Sequence, residues 1–161
     1  MHIKKVVLGF VAAAVVSLST TAFAQTLTYG APIGLDIAKK IAAAAAAEAK
    51  KQNLTVVISI VDSSGTLTYL EKADGTQLAS VDVAIGKART ANNFKRPTKV
   101  FEDGVSGGRN VLLSLPDALL VEGGSPIVVD NKIIGAIGVS GATSQQDGQI
   151  AEAGLASLKA K

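Results

Sequence analysis

The sequence predicts an α+β fold, a single domain in which one antiparallel sheet is packed against helices. Two observations predict this class. Helical and extended patterns follow one another in the order α-β-β-α, then a loop, then β-β-β-α, and such an order is typical of helices packed on one antiparallel sheet. No internal repeat or linker divides the chain, and residues 25–161 have the length of one ordinary domain.

The first helix is predicted to begin at Pro32, because proline fits the first turn of a helix, where its missing N–H costs nothing. Asn53 is a natural end for this helix. The alanine run at residues 42–47 favours a helix of thin profile that packs closely on a sheet. Apolar residues at helical spacing predict its buried face: Leu35, Ala38, Ile41, Ala42, Ala45 and Ala49.

A hairpin and a second helix follow. Residues 55–62 are apolar and β-branched, which predicts a buried strand, and residues 66–72 alternate as its half-exposed antiparallel partner. Asp74-Gly75 ends the hairpin, and a helix is predicted over residues 76–94. The buried stripe of this helix is expected to contain Leu78, Val81, Ile85, Ala88 and Ala91 or Asn92.

The second half of the chain is less regular. Residues 99–114 mix glycines with short apolar pieces, which predicts broken helical turns or a mobile loop. A short strand is expected at residues 119–121 and a hairpin at residues 123–141, and the opening residues of the domain are expected to supply a further hairpin. Ser144 and Asp147 are spaced as in a capping box that opens a last helix, which runs through about residue 158.

The strand before residue 142 carries glycines at positions 135, 138 and 141, although strand interiors normally avoid glycine. One interpretation is a bent strand that a helix crosses closely, with the alanine face of residues 42–47 as the expected neighbour. The other is that Gly123, Gly124 and the strand end Ser140-Gly141 expose backbone N–H groups to an anionic ligand.

The first 24 residues have the layout of a secretory signal peptide. Lys4 and Lys5 precede an apolar run at residues 6–18, and Ala22-Phe23-Ala24 is a small-x-small cleavage site. The apolar run is shorter than the roughly 20 residues that span a bilayer, so no stable membrane anchor is expected. The sequence therefore predicts an exported protein, periplasmic or extracellular, with its domain at residues 25–161.

The composition of residues 25–161 excludes several chemistries. Without Lys4 and Lys5 the chain has 14 basic and 13 acidic side chains, and no basic stripe with interleaved aromatic residues predicts nucleic-acid binding. The only histidine and the only methionine are His2 and Met1, and cysteine is absent. Residues 25–161 therefore cannot form a Ser-His-Asp triad, a cysteine nucleophile, or a typical zinc or copper site.

Donors and positive charge concentrate near the end of the second helix. A pocket for carboxylates is one interpretation, because guanidinium groups bind carboxylates in a bidentate manner and the loop that carries Arg109 can close over a ligand. The alternative is a solvated helix end, where cations complement the helix dipole. The candidate ligand-binding residues are Lys87, Thr90, Arg96, Thr98 and Arg109, together with Gly123 and Gly124.

Catalytic groups are not evident in the sequence. Glu102 and Asp103 are adjacent in sequence, so their side chains diverge, and Ser80 and Lys87 are two helical turns apart. No catalytic residue is predicted, and whether the protein is an enzyme stays open.

Two stretches resemble the GlcG/HbpS-like family of haem-degrading-domain proteins. Residues 73–91 are similar to a "DG…S…A…KA.TA" helix, and residues 123–141 with Asp147 are similar to a "GG.PI…G.IIGAIGVSG…D" ending. The resemblance implies a profilin-like sheet with packed helices and symmetric homo-oligomers, and the few aromatic residues and long apolar hairpins also favour self-association. Some members bind haem, and others are linked to corrinoid or glycolate metabolism.

The resemblance implies a small-molecule ligand, either haem or a related carboxylate-bearing tetrapyrrole. Among the usual axial ligands of haem iron, residues 25–161 contain only Tyr29 and Tyr69. A haem site would therefore depend on tyrosine or a weak oxygen ligand, on propionates held by arginine or lysine, and on apolar contacts. The alternatives are a small enzyme of haem degradation or hydroxy-acid metabolism, and an accessory subunit without a small ligand.

Overall fold

The structure is a computed structural model that describes residues 26–158. The predicted signal peptide at residues 1–24 lies outside the described residues. Within residues 26–158 there are five strands and four helices, with a 3₁₀ turn after the third helix. The elements are β1 Thr28–Tyr29, α1 Leu35–Lys51, β2 Val57–Asp62, β3 Leu67–Lys72, α2 Ser80–Phe94, α3 Lys99–Ser106, the 3₁₀ turn Asn110–Ser114, β4 Gly124–Val129, β5 Lys132–Ser140 and α4 Ser144–Ala156.

The sheet has the order β3-β2-β5-β4, and each neighbouring pair in this order is antiparallel. The short β1 pairs with residues 132–133 of β5 in a parallel direction, so the sheet is mixed and not purely antiparallel as expected. β4 occupies one edge of β5 there, and β2 ends opposite Gly135, so β1 fills the edge that remains free. Two contacts of the opening segment with α2 hold it there: Tyr29 Oη donates to the Asn92 carbonyl (2.9 Å) and Lys95 Nζ donates to the Leu27 carbonyl (3.0 Å).

Helices cover both faces of the sheet, which confirms the predicted α+β single domain. α1 and α4 pack on one face, and α2 packs on the other. Side chains alternate along β2, so Val56, Ile58 and Ile60 face α1 and α4 while Val61 faces α2.

The predicted face of α1 is confirmed except at its beginning. Ala38, Ile41, Ala42, Ala45 and Ala49 are buried, as the helical spacing predicted. The prediction that Leu35 is buried is wrong. Leu35 is 48% exposed, because the helix begins at this residue and Ile33 occupies the core in its place.

α2 begins four residues later than predicted. Residues 76–79 form turns outside the helix, and Leu78 is 87% exposed and not part of the buried stripe. Ala88, Ala91 and Asn92 are buried as predicted, whereas Val81 and Ile85 are only partly buried.

The segment between α2 and β4 differs from the prediction in two places. Residues 99–106 form a regular helix and not broken turns. Residues 119–121 are not a strand, because the Leu119 N–H donates to the Thr90 Oγ1 (2.8 Å) instead of to a neighbouring strand.

The glycine-containing strand is closely crossed by a helix, but the helix is α2 and not the alanine face of α1. A Cβ added at Gly138 would collide with the Ala84 carbonyl oxygen and lie 3.0 Å from the Ala88 Cβ. Glycine at this position therefore allows the backbone of α2 to lie directly on β5.

Candidate functional site

A buried ion pair joins α2 to α4 at the end of β5. Lys87 Nζ lies 2.8 Å from Asp147 Oδ2, and both side chains are 2% exposed. The ammonium also donates to the Val139 carbonyl (3.0 Å), and Asp147 Oδ1 accepts from the Ala142 N–H (3.1 Å). Burial raises the pKa of Asp147 above its ordinary value, although Lys87 and the Ala142 N–H act in the opposite direction.

Local structure explains how these two charges reach each other. Lys87 lies on the inward stripe of α2 between Ala84 and Ala88, and its long stem crosses the end of the sheet. Asp147 lies in the first turn of α4. The capping box of α4 uses Thr143 and Gln146, not Ser144 and Asp147 as predicted, so the Asp147 carboxylate is free to turn inward.

Gly123 and Gly124 lie directly against this ion pair. Gly123 has a φ of +126°, and a Cβ added there would lie 2.8 Å from Lys87 Nζ and 2.7 Å from the Val139 carbonyl oxygen. A Cβ on Gly124 would collide with the Lys87 carbonyl oxygen. Both glycines are therefore needed for the approach of β4 to α2.

Thr98 pairs with the outer edge of β4. Its backbone N–H donates to the Gly124 carbonyl (2.9 Å), and its Oγ1 accepts from the Gly124 N–H (2.9 Å). Pro126, two residues further along β4, has no N–H to offer. Thr98 and Pro126 thus protect this edge strand from pairing with another chain.

A pocket of about 440 Å³ opens beside the two glycines, between β4, α4 and the start of α3. Three glycines and a proline give it a flat apolar lining, and Lys99, Glu122 and Glu152 supply its charges. Lys99 Nζ lies 2.8 Å from Asp103 Oδ1 and 3.8 Å from Glu122 Oε2. We call this the β4–α4 pocket; it is lined by Pro97, Lys99, Glu122, Gly123, Gly124, Ser125, Gly148, Gln149 and Glu152.

The structure brings together four of the seven candidate residues: Lys87, Thr98, Gly123 and Gly124 meet where α2, β4 and the start of α3 converge. Only the two glycines line the pocket, since Lys87 and Thr98 are buried behind them.

The other three candidates lie apart from that point. Thr90 is buried and holds the Leu119 N–H. Arg96 precedes Pro97 of the pocket, and its guanidinium lies over the Phe101 ring, 5.8 Å from the centroid. Arg109 follows the other end of α3, and a helix of eight residues is about 12 Å long, so the two arginines do not grip a single carboxylate.

Two acidic residues near the pocket were not among the predicted site residues. Glu102 accepts hydrogen bonds from the Glu122 N–H and from Ser144 Oγ (2.8 Å), and so ties α3 to the start of α4. For Asp147 the sequence predicts only a capping role and a place in the family pattern, whereas in the structure it pairs with Lys87. Lys87 lies on the inward stripe of a helix, and a buried ammonium requires a carboxylate partner. This position was the sequence signal that could have indicated a buried ion pair.

The pocket contains none of the residue types that usually ligate haem iron. Tyr29 Oη donates to the Asn92 carbonyl, and Tyr69 Oη donates to Glu71 Oε2 (2.9 Å); neither tyrosine lines the β4–α4 pocket. Residues 26–158 contain no group of three acidic, histidine or cysteine side chains that could hold a metal ion. Within the same range, no helix is both long enough and apolar enough to cross a membrane.

Comparison with known proteins identifies the family. Residues 33–156 match the family of haem degrading proteins described as HbpS-like, so the chain belongs to this family. The protein GlcG of Escherichia coli K12 is 42% identical over 104 residues, which are 65% of this chain and 78% of GlcG.

Solved structures of relatives share the fold. A double mutant of HbpS from Streptomyces reticuli matches with a TM-score of 0.73 and 30% identity, over 91% of this chain and 98% of that one. A PduOC structure solved as a haem complex matches with a TM-score of 0.71 and 29% identity, over 78% of this chain and 94% of that one. One solved relative was thus crystallised with haem, and the family is described by haem degradation, which together support haem or ligand binding in a general sense.

Proposed function

We propose that the protein is exported and binds haem or another carboxylate-bearing tetrapyrrole in the β4–α4 pocket, without an iron ligand from histidine, cysteine or methionine. The observation that carries the proposal is the glycine lining of this pocket, in a chain whose structural relative was solved with haem. A flat ring would gain apolar contact on Pro97 and Gly148 at the pocket wall, while Gly123 and Gly124 form the buried back of the pocket.

Cations at the mouth of the pocket support a ligand with carboxylates. Lys99 lines the pocket, and Arg96 is exposed beside Pro97. Glu122 and Glu152 also lie there, but Glu152 accepts a hydrogen bond from Ser125 Oγ (2.7 Å) and Glu122 lies near the Lys99 ammonium. A ligand carboxylate would take the place of Asp103 as the partner of Lys99.

The test compares haem with metal-free protoporphyrin. Residues 25–161 are titrated with each compound, and the Soret band is followed. Because no histidine, cysteine or methionine can hold the iron, we expect both compounds to bind with affinities within about threefold of each other. No spectral change with either compound would overturn the proposal, and binding of haem alone would show that an iron ligand is present.

Variants locate the site. Lys99 and Arg96 are exposed, and an exposed ion pair contributes up to about 1 kcal/mol, so affinity should fall by up to about fivefold for Lys99→Ala and for Arg96→Ala. Gln149→Trp, at an exposed position of the pocket wall, should block binding. Lys40→Ala, an exposed lysine on α1, is the matched control. Equal affinities for all four variants would place the ligand elsewhere.

A haem-degrading enzyme is a second candidate, favoured by the family to which the chain belongs. The same haem-loaded sample is given a reductant in air. A stable Soret band supports a binding protein, whereas steady loss of the band with release of iron supports the enzyme.

Export and self-association are also part of the proposal. The full chain is expressed in a bacterium. The mass of the protein in the periplasmic fraction or the medium should correspond to a chain that begins at Gln25. Light scattering of residues 25–161 at micromolar concentration should give a multiple of the monomer mass. A full-length cytoplasmic product contradicts export, and a monomer mass contradicts self-association.

A further inference from the structure

A second pocket, of about 700 Å³, lies between the C-terminal half of α1 and the β2–β3 hairpin. It shares no residue with the β4–α4 pocket. We call it the α1–hairpin pocket; its lining consists of Ala46, Ala49, Lys50, Asn53, Leu54, Thr55, Val56, Ile58, Glu71, Ala73 and Asp74.

The floor of this pocket is part of the main hydrophobic core. Ala49, Val56 and Ile58 are buried core residues, and Ala46 and Leu54 pack against them. The pocket exists because α1 presents alanines to this part of the sheet, where larger side chains would fill the space. Protein interiors are normally close-packed, and this volume is within the range of small-molecule sites.

The mouth of the pocket carries more negative than positive charge. Glu71 pairs with Ile58 across the hairpin, so its side chain is on the pocket face, and Tyr69 Oη holds its carboxylate in place (2.9 Å). Asp74 lies beyond it at the end of the hairpin. Lys72 lies on the opposite face of β3 by strand alternation, and Lys50 is the one cation of the lining.

The end of α1 adds to this negative character. Its last carbonyl groups carry the negative end of the helix dipole towards Asn53, beside the pocket. Lys51, in the same last turn, lies 3.5 Å from Glu48 and is partly neutralised by it. A ligand in this pocket therefore meets an apolar floor and a mouth that favours a cation.

We propose that the α1–hairpin pocket is a second binding site, which takes a small apolar molecule bearing an ammonium group. The apolar part lies on the floor formed by Ala46, Val56 and Ile58, and the ammonium lies between Glu71 and Asp74. The charge preference is opposite to that proposed for the β4–α4 pocket, and the inference does not depend on that proposal.

The test uses three probes of similar shape and different charge: 2-phenylethylamine, 2-phenylethanol and 3-phenylpropionate. Methyl resonances of residues 25–161 are followed by NMR during each titration. We expect shifts centred on Ala46, Ala49 and Ile58, with the amine binding at least fivefold more tightly than the alcohol and the acid most weakly. No shifts at these methyl groups, or tightest binding of the acid, would overturn the proposal.

Variants test separately how the floor and the mouth of the α1–hairpin pocket contribute to binding of the amine. Ala46→Leu should fill the floor and weaken the amine at least tenfold, whereas Ala47→Leu, on the exposed side of the same helix, should leave its affinity unchanged. The double variant Glu71→Gln/Asp74→Asn should remove the preference for the amine over the alcohol. That ratio does not depend on the fraction of folded protein, so an unchanged ratio contradicts the proposed position of the ammonium.

Discussion

The α1/α4 face of the sheet buries isoleucines and valines together with alanines, whereas the α2 face buries no isoleucine in its apolar cluster and relies on alanines, a close backbone contact at Gly138 and several polar side chains. On the first face the core contains seven isoleucines, and α1 stands far enough from the hairpin to leave a pocket. On the second face Val61, Ala88, Ala91 and Ala136 form a small apolar cluster, and Lys87, Thr90 and Asn92 are buried beside it.

This difference shows that one sheet can be covered in two ways. On the α1/α4 face, apolar burial of large side chains fixes the helices. A larger residue is tolerated there wherever it can extend into a nearby void. Backbone contact at Gly138 leaves no such tolerance, and each charge of the buried Lys87–Asp147 pair has one partner of opposite charge. Substitutions on the α2 face are therefore expected to cost more than comparable substitutions on the α1/α4 face.

The largest effect is expected for Lys87→Met, which leaves the Asp147 carboxylate buried without its ammonium partner. The free energy of unfolding at pH 7 should fall by about 3–5 kcal/mol, measured by chemical denaturation. Lys40→Met, at an exposed position of α1, should change it by less than about 0.5 kcal/mol. If Asp147→Leu is added to Lys87→Met, a large part of the loss should be recovered; no recovery would contradict an unpaired charge as the cause.

The pH dependence of the same variant tests the charge directly. Burial raises the native pKa of Asp147, and without Lys87 this pKa should rise further. When a carboxyl group has a higher pKa in the native than in the unfolded state, the free energy of unfolding of the protein falls as the pH rises from the unfolded pKa through the native pKa. The free energy of unfolding that Lys87→Met loses relative to the natural protein should therefore become smaller as the pH is lowered. A loss that stays constant between pH 7 and pH 4 would contradict the prediction.

A smaller effect is expected for Gly138→Ala. The added methyl group meets the backbone of α2 at Ala84, and backbone cannot move aside as a flexible side chain does. We expect a loss of about 1–3 kcal/mol in the free energy of unfolding. Gly34→Ala is the control, because a Cβ there meets nothing within 4 Å; equal losses for both variants would refute the close crossing of α2 and β5.

The smallest effect is expected for Ala46→Leu on the α1/α4 face. The larger side chain enters the α1–hairpin pocket and displaces no packed atom, so the free energy of unfolding should change by less than about 1 kcal/mol, in either direction. Ala88→Leu makes the same change against β5 on the α2 face and should cost about 1–3 kcal/mol. Equal losses of free energy of unfolding for Ala46→Leu and Ala88→Leu would contradict the expectation that the α2 face tolerates added volume less well than the α1/α4 face.

Much of the fold could be predicted because its signals are local. The buried face of α1 follows from helical spacing, and the β2–β3 hairpin follows from the β-branched residues at 55–62 and the alternating pattern at 66–72. The failures occur where local preference meets a tertiary alternative. Leu119 prefers a strand, but its N–H finds Thr90, and Asp147 fits a capping box, but Gln146 takes that position.

The candidate site is predicted less well, because closeness in sequence does not decide which side chains meet in space. Arg96 and Arg109 carry the expected charge, yet α3 forms between them and separates them. Gly123 and Gly124 line a pocket, but the Gly124 N–H donates to Thr98 Oγ1 and is not open to an anionic ligand. The α1–hairpin pocket was not predicted, since a volume between a helix and a hairpin has no signature in either element alone.

The sequence by itself determined α1, α2, α4 and the two hairpins, most of the buried face of α1, and the absence of histidine, cysteine and methionine from residues 25–161. Those properties depend on neighbours within a turn or two and on composition. Only the tertiary structure decided that α2 crosses Gly138 and that Lys87 meets Asp147, 60 residues further along the chain. The physical reason is that apolar burial selects which faces turn inward but not their partners; close packing and the pairing of buried charges then select one arrangement.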